Sequence, residues 1–171
     1  MDNKVINEYL DQWLRDAHAM EEQAETMLTS QAGRIENYPE LKAKVEQHIR
    51  ETQSQGQRIR TCLERRGSST SGAKDMAAKF TAMMQGLSGT VMADEVLKGA
   101  MASYTFEHFE ISAYRELAAA AELAGDAETK QVVDAILREE QAMADWLYEH
   151  LPQVTRQFLE RSATEGSSAK R

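Results

Sequence analysis

Residues Ala100–Ala121, AMASYTFEHFEISAYRELAAAA, decide the fold. Read at helical spacing, they continue an apolar stripe that starts at Val96 and runs through Ala100, Ser103, Tyr104, Ile111, Tyr114, Ala118 and Ala121. Glu107 falls at the centre of that stripe and Glu110 at its edge. An ionised carboxylate on a core face is strongly unfavourable unless something pairs with it. One such residue is an accident of sequence. Three further long helices are predicted around this one, and each carries an acid in the same position.

The first is predicted over Asp2–Thr29, with the stripe Ile6, Leu10, Leu14, Ala17, Ala24 and Leu28 and with Glu21 at its centre. Gly33 suits a C-cap, and Pro39 suits the first turn of the next helix, with Asn37 as a possible cap. The second helix is predicted over Pro39–Arg66. Its stripe, Leu41, Val45, His48, Thr52, Gln55, Ile59, Cys62 and Leu63, is apolar at its ends and polar in its middle, with Glu51 at the edge. The third covers Ala93–Leu123 and ends at Ala124–Gly125–Asp126. The fourth covers Ala127–His150, with Val133, Ile136, Leu137, Met143, Ala144, Leu147 and Leu151 flanking Glu140. Glu139 points about 100° away and is expected in solvent, as are His18, His108 and His150. Pro152 ends or kinks this helix, and residues 153–161 suit a further short one.

Between the second and third helices lies GSSTSGA (Gly67–Ala73), the clearest linker in the chain, then a short helix over Lys74–Met84 with Met76, Phe80, Met83 and Met84. The methionines read as gap-filling core. The whole segment is long enough to cross the length of a bundle. The expected architecture is therefore an all-α four-helix bundle over residues 1–163: two antiparallel hairpins joined by a long crossover, with a flexible tail at 164–171.

Composition agrees. Aromatic residues make up only 6% of the 171 residues, prolines number two, and Ala, Glu, Gln and Met abound, which favours helices over sheets. A formal net charge of −8 argues against a nucleic-acid partner, because phosphate binding needs a basic face. No leader-like segment and no long apolar run occurs, so a soluble, cytoplasmic protein without membrane contact is expected. The single cysteine, Cys62, forms no zinc motif and reads as a small core residue.

Heights along the helices tell whether the acids can meet. Glu21, His48 and Glu51 all lie about 13–18 Å from the turn that joins the first two helices. Glu107, Glu110 and Glu140 lie about 20–25 Å from the turn that joins the last two. Each hairpin thus holds its inward acids at one level. If the hairpins stack as a bundle, one layer contains Glu21, His48, Glu51, Glu107, Glu110 and Glu140. No lysine or arginine lies at the centre of these stripes. Either some of the acids are protonated and hydrogen-bonded, or cations hold them. Two divalent metal ions would neutralise four acids, and carboxylates with an imidazole suit iron or manganese, with zinc able to enter.

At DAHAMEEQ (Asp16–Gln23), EQHIRET (Glu46–Thr52), FEHFEISAY (Phe106–Tyr114) and EEQAMADWL (Glu139–Leu147) the chain resembles the ferritin-like superfamily of di-metal four-helix bundles, and more narrowly the YciF/YciE family of stress-associated bacterial proteins. The resemblance implies a dinuclear site between the hairpins, with Glu21, Glu51, Glu107 and Glu140 in the positions of the acids of the four helices, iron as the first expectation, and a homodimer. The chain departs from the Glu-x-x-His pattern used by many such bundles. Ser54 follows Glu51, Met143 follows Glu140, His48 precedes its acid, and Glu110 adds a second acid to the third helix. His48 and Glu110 therefore stand as direct ligands or as partners of ligands.

Two functions suit such a site. One is redox chemistry with O2 or H2O2, of ferroxidase, peroxidase or catalase type, with Tyr114 as a hydrogen-bond or electron donor or simply as a core tyrosine. The other is a non-catalytic, metal-stabilised interaction module in a stress response. Iron storage would need a hollow shell, which nothing in the sequence indicates.

Overall fold

The computed structural model describes residues 3–71, 82, 92–164 and 168–170. Four helices carry it: α1 (Asn3–Arg34), α2 (Pro39–Arg65), α3 (Glu95–Ala124) and α4 (Ala127–Ala163). α1 packs on α2 and α3, and α4 packs on α3 and α2, while the diagonal pairs stay apart. Cross-helix bonds give the directions. Gln31 meets Ser103 and Glu21 meets Tyr114, so α1 and α3 are antiparallel. Gln55 meets Glu139 and Arg65 meets Asp126, so α2 and α4 are antiparallel too. With both hairpins antiparallel, α2 and α3 run the same way, which a long crossover permits and a short turn does not. The helix expected over Lys74–Met84 and its methionine cluster lie outside the described residues, Ala82 excepted.

Local chemistry sets the turns. Pro39 opens α2, where its missing N–H costs nothing; Tyr38 precedes it and makes no side-chain cap bond. Gly125 closes α3 in the left-handed conformation at φ 73°. Its N–H reaches the Glu122 carbonyl, and the Asp126 N–H reaches Ala121, which satisfies the last carbonyls of α3. Asp126 then caps α4 by accepting from the Thr129 N–H at 3.1 Å. Arg66 ties this end together, donating to Asp11 on α1 at 2.5 Å and to Asp126 at 2.8 Å.

The apolar stripes close into two clusters. One holds Leu10, Leu14, Met20, Ile59, Leu63, Tyr114, Leu117, Val133 and Ile136. The other, at the far end, holds Leu28, Ile35, Tyr38, Leu41, Val45, Val96, Met143, Leu147 and Val154. Each fully buried leucine contributes about 1.5–3 kcal/mol relative to exposure. The polar stretches of the four stripes fall between the two clusters. Gly99 lets α3 close on α1: a Cβ there would sit 3.1 Å from the Gln31 amide, which accepts from Ser103 at 2.8 Å.

Two expectations are corrected. α1 continues past Thr29 to Arg34, and Gly33 lies inside it rather than capping it, because Ala32 and Ile35 extend the buried stripe of Leu28. α4 runs through Pro152 without a separate short helix. The ring removes one backbone bond, but Leu147 and Val154 are both buried on the same face and hold the helix together across it. Residues 168–170 lie against the bundle. The Tyr38 hydroxyl donates to the Ala169 carbonyl at 2.6 Å, and the Val96 N–H, unsatisfied at a helix start, donates to Lys170 at 3.1 Å.

Candidate metal centre

Between the two apolar clusters each helix presents polar side chains inward. α1 supplies Glu21, α2 supplies His48, Thr52 and Gln55, α3 supplies Glu107 and Glu110, and α4 supplies Glu140; all are at most 2% exposed. The two hairpins are stacked so that the levels read separately in each coincide. Ligand-type atoms of His48, Glu107, Glu110 and Glu140 all lie within 4.8 Å of one another.

The His48 ring is the pivot. Its Nδ1 lies 2.9 Å from Glu51 Oε2, and a carboxylate only accepts, so Nδ1 carries a proton and donates. Its Nε2 faces inward, 3.2 Å from Glu107 Oε2 and 3.4 Å from Glu140 Oε2. Neither approach is aligned as a hydrogen bond. A carboxylate that fixes one ring nitrogen and leaves the other aimed at acids is the arrangement that prepares an imidazole for metal. Glu51 itself, with a side chain 29% exposed, stands on the outer side of the ring and outside the four-residue cluster.

Glu21 also stands just outside that cluster. Its Oε1 accepts a very short hydrogen bond from the Tyr114 hydroxyl, and its Oε2 has no partner. Among the described residues, six buried carboxylate oxygens lack any hydrogen-bond donor: Glu21 Oε2, Glu110 Oε1 and both oxygens of Glu107 and Glu140. An unpaired buried acceptor costs about 1–3 kcal/mol, and more when it is charged.

Electrostatics show the same tension. Burial, and then the charge of Glu140, hold the Glu21 carboxyl well above the usual range, against the bond from Tyr114. Burial and the charges of Glu140 and Glu21 do the same to Glu110. Burial pushes Glu140 up to about 8 although His48 favours its ionised form. For His48, desolvation acts downward, but Glu107, Glu140 and Glu51 outweigh it and the imidazolium is favoured. Burial and the Glu21 charge keep the Tyr114 phenol protonated far beyond its ordinary range. Without cations the layer holds protons that water would remove. Oxygen donors in excess, one imidazole nitrogen and no lysine or arginine in the cluster form a donor set that fits divalent metal ions.

Periodicity alone located Glu21, His48, Glu107, Glu110 and Glu140, and it left two features unread. Glu139, expected in solvent, is half-buried; it accepts from Gln55 Nε2 at 3.0 Å and pairs with Arg58, which forms a lid of charge over Gln55. His18 is 5% exposed rather than solvated, between Glu22 and Arg60, and desolvation lowers its pKa. Arg58 four residues before Cys62 and Glu139 beside Glu140 carry no periodic signal that would have paired them.

The fold is an all-helical four-helix bundle with acids and a histidine from facing helices in its middle, and comparison with known proteins gives its family. The chain belongs to the family described as Domain of unknown function DUF892, which matches residues 5–160. It is similar to a protein of Xanthomonas campestris pv. campestris, at 43% identity and a TM-score of 0.80 over 93% of this chain and 99% of that one. It also shares its fold with the E. coli stress protein YciF, at 22% identity and a TM-score of 0.70 over 85% of this chain and 94% of that one. A dodecameric thioferritin, the bacterioferritin-related protein of Bacteroides fragilis, shares it at 18% identity and a TM-score of 0.69 over 96% and 94%. No helix among the described residues is long and apolar enough to cross a membrane.

Proposed function

We propose that this protein binds two divalent metal ions in its central layer and uses them in a bacterial stress response, with iron as the first expectation and manganese or zinc as alternatives. The carrying observation is the set of six buried carboxylate oxygens without a hydrogen bond, two of them at ion-pair distance from the inward Nε2 of His48. In this reading His48, Glu107, Glu110, Glu140 and Glu21 hold the ions. Glu51, named as a ligand from its place in the sequence, instead orients His48 through Nδ1. Bound iron or manganese would supply electron exchange with O2 or H2O2. The residues around it exclude water, and Tyr114 holds a proton at Glu21 Oε1. Kinship with YciE-type members and a homodimer belong to the same reading and rest on the resemblance of the four quoted stretches, and a cytoplasmic setting is proposed with them.

The near-complete burial of Glu107 and Glu140, both 0% exposed, favours a second reading in which the metal serves folding and the bundle is a non-catalytic module. Elemental analysis of protein purified without chelator tests the metal itself; Glu21→Ala should lower the content, and an unchanged stoichiometry removes Glu21 from the ligand set. Anaerobic loading with Fe(II), then O2 or H2O2, separates the two readings. Rapid oxidation with an absorbing ferric product supports redox chemistry, and tight binding with no optical response supports the structural role.

A further inference from the structure

The central layer is chemically lopsided. Its one nitrogen donor, His48, meets Glu107 and Glu140. Glu21 lies outside the 4.8 Å group that joins His48 to Glu107, Glu110 and Glu140, and Met143, one turn after Glu140, supplies no second imidazole. On that side the layer has an amide instead. Gln55 is 0% exposed, and its Oε1 is buried without a partner. Its orientation is not arbitrary. Nε2 donates to the Glu139 carboxylate at 3.0 Å, and the flipped amide would set oxygen against oxygen there. Arg58 holds Glu139 in place from outside. The amide oxygen therefore points away from this surface pair and into the layer. Glu21 is at the same level: its Cβ lies 3.5 Å from where a side chain on the neighbouring Gly56 would begin. Ligand atoms of Glu110 and Glu140 lie within 4.8 Å of the His48 ring nitrogen, so both acids border the histidine side of the layer.

Resting on the two-ion reading above, we infer that the two cation positions are unlike: one has His48 with Glu107, and the other is an all-oxygen position of Glu21 and the Gln55 amide oxygen, with Glu110 and Glu140 shared. Imidazole favours zinc or iron, whereas carboxylate and carbonyl oxygens suit manganese or magnesium. The centre takes two different metals in preference to two of one kind, and Gln55 is a metal-binding residue.

The test uses the full chain stripped by chelator and read by calorimetry and by the six-line electron paramagnetic resonance signal of free Mn2+. One equivalent of Zn2+ binds first. Mn2+ added to the zinc-loaded protein then binds as a second equivalent and its free signal disappears. Gln55→Leu weakens the manganese step roughly 10- to 100-fold and leaves the zinc step unchanged, and Gln55→Glu combined with Glu139→Gln, which restores the inward oxygen and keeps an amide donor facing it, recovers it. Circular dichroism and urea unfolding of each variant confirm the fold. Two zinc equivalents of equal affinity, or a Gln55→Leu variant that keeps its manganese or loses both metals alike, overturn the unequal positions while leaving a dinuclear centre. A wild-type chain that binds neither ion overturns the proposed function as well.

Discussion

Metal-free protein should lose stability as pH rises from about 5 to about 8, the opposite of what paired surface carboxylates produce. In the fold, Glu140 keeps its proton up to about 8, whereas an ordinary carboxyl gives it up near 4.5. Across that interval the native state binds more protons than the unfolded chain, so each pH unit costs about 1.4 kcal/mol per retained proton. For Glu140 alone, three pH units amount to roughly 4 kcal/mol, a large part of the roughly 5–15 kcal/mol that holds a domain together. Glu21 and Glu110, also raised, act in the same direction. So does His48: its raised value gives stability that is complete below the ordinary imidazole range and is lost as pH climbs through the folded value. Glu51 and Asp126 are depressed, and their contribution disappears only in acid, below this window. Urea unfolding in the presence of chelator at about pH 5, 6.5 and 8 measures the slope directly. Divalent metal should reverse it, because ligands must release their protons to bind. A stability that is flat or rises with pH in the metal-free protein would falsify the account of a proton-holding layer.

Three substitutions probe the surroundings. Tyr114→Phe removes the donor to Glu21 Oε1 and leaves that buried oxygen bare, which should cost about 1–3 kcal/mol in the metal-free protein by chemical denaturation; no measurable loss would mean the bond is not made. Arg66→Ala removes the donor to Asp11 and one of the donors to Asp126 Oδ2, which keeps Arg65 and Thr129, and an expected loss of about 1–3 kcal/mol is read from the same curves, with a neutral result counting against the network. Leu14→Ala opens a cavity in the cluster remote from His48 and should cost about 2–5 kcal/mol while metal stoichiometry stays constant, which separates loss of packing from loss of ligands.

The four long helices, their inward faces and the polar middle of each stripe could all be read from periodicity, because a carboxylate at Glu21, Glu107 or Glu140 interrupts an otherwise apolar face. Levels within each hairpin followed from residue counts to short turns. What could not be read was the vertical match between the hairpins, since the connection between α2 and α3 is too long to fix it. Angular position also misjudged residues at the seams. His18 and Glu139 lie off the stripes of their own helices, yet Arg60 and Arg58 of α2 meet them across the boundary. Pro152 and Gly33 misled in the other direction: local propensity favoured ending a helix where burial of Val154 and Ala32 continues it. The docking of Ala169 on Tyr38 joins residues far apart in the chain, and nothing near either of them announces it.

The donors are divided between two hairpins, Glu21 and His48 on one and Glu107, Glu110 and Glu140 on the other. Each hairpin closes over a short turn, at small entropic cost, whereas the bond between Tyr114 and Glu21 spans 93 residues. Assembly should therefore be hierarchical, with hairpins zipping early and the centre completed at the last docking step. Substitutions at Glu21 or Tyr114 would then alter the unfolding rate far more than the folding rate, as contacts formed after the transition state do.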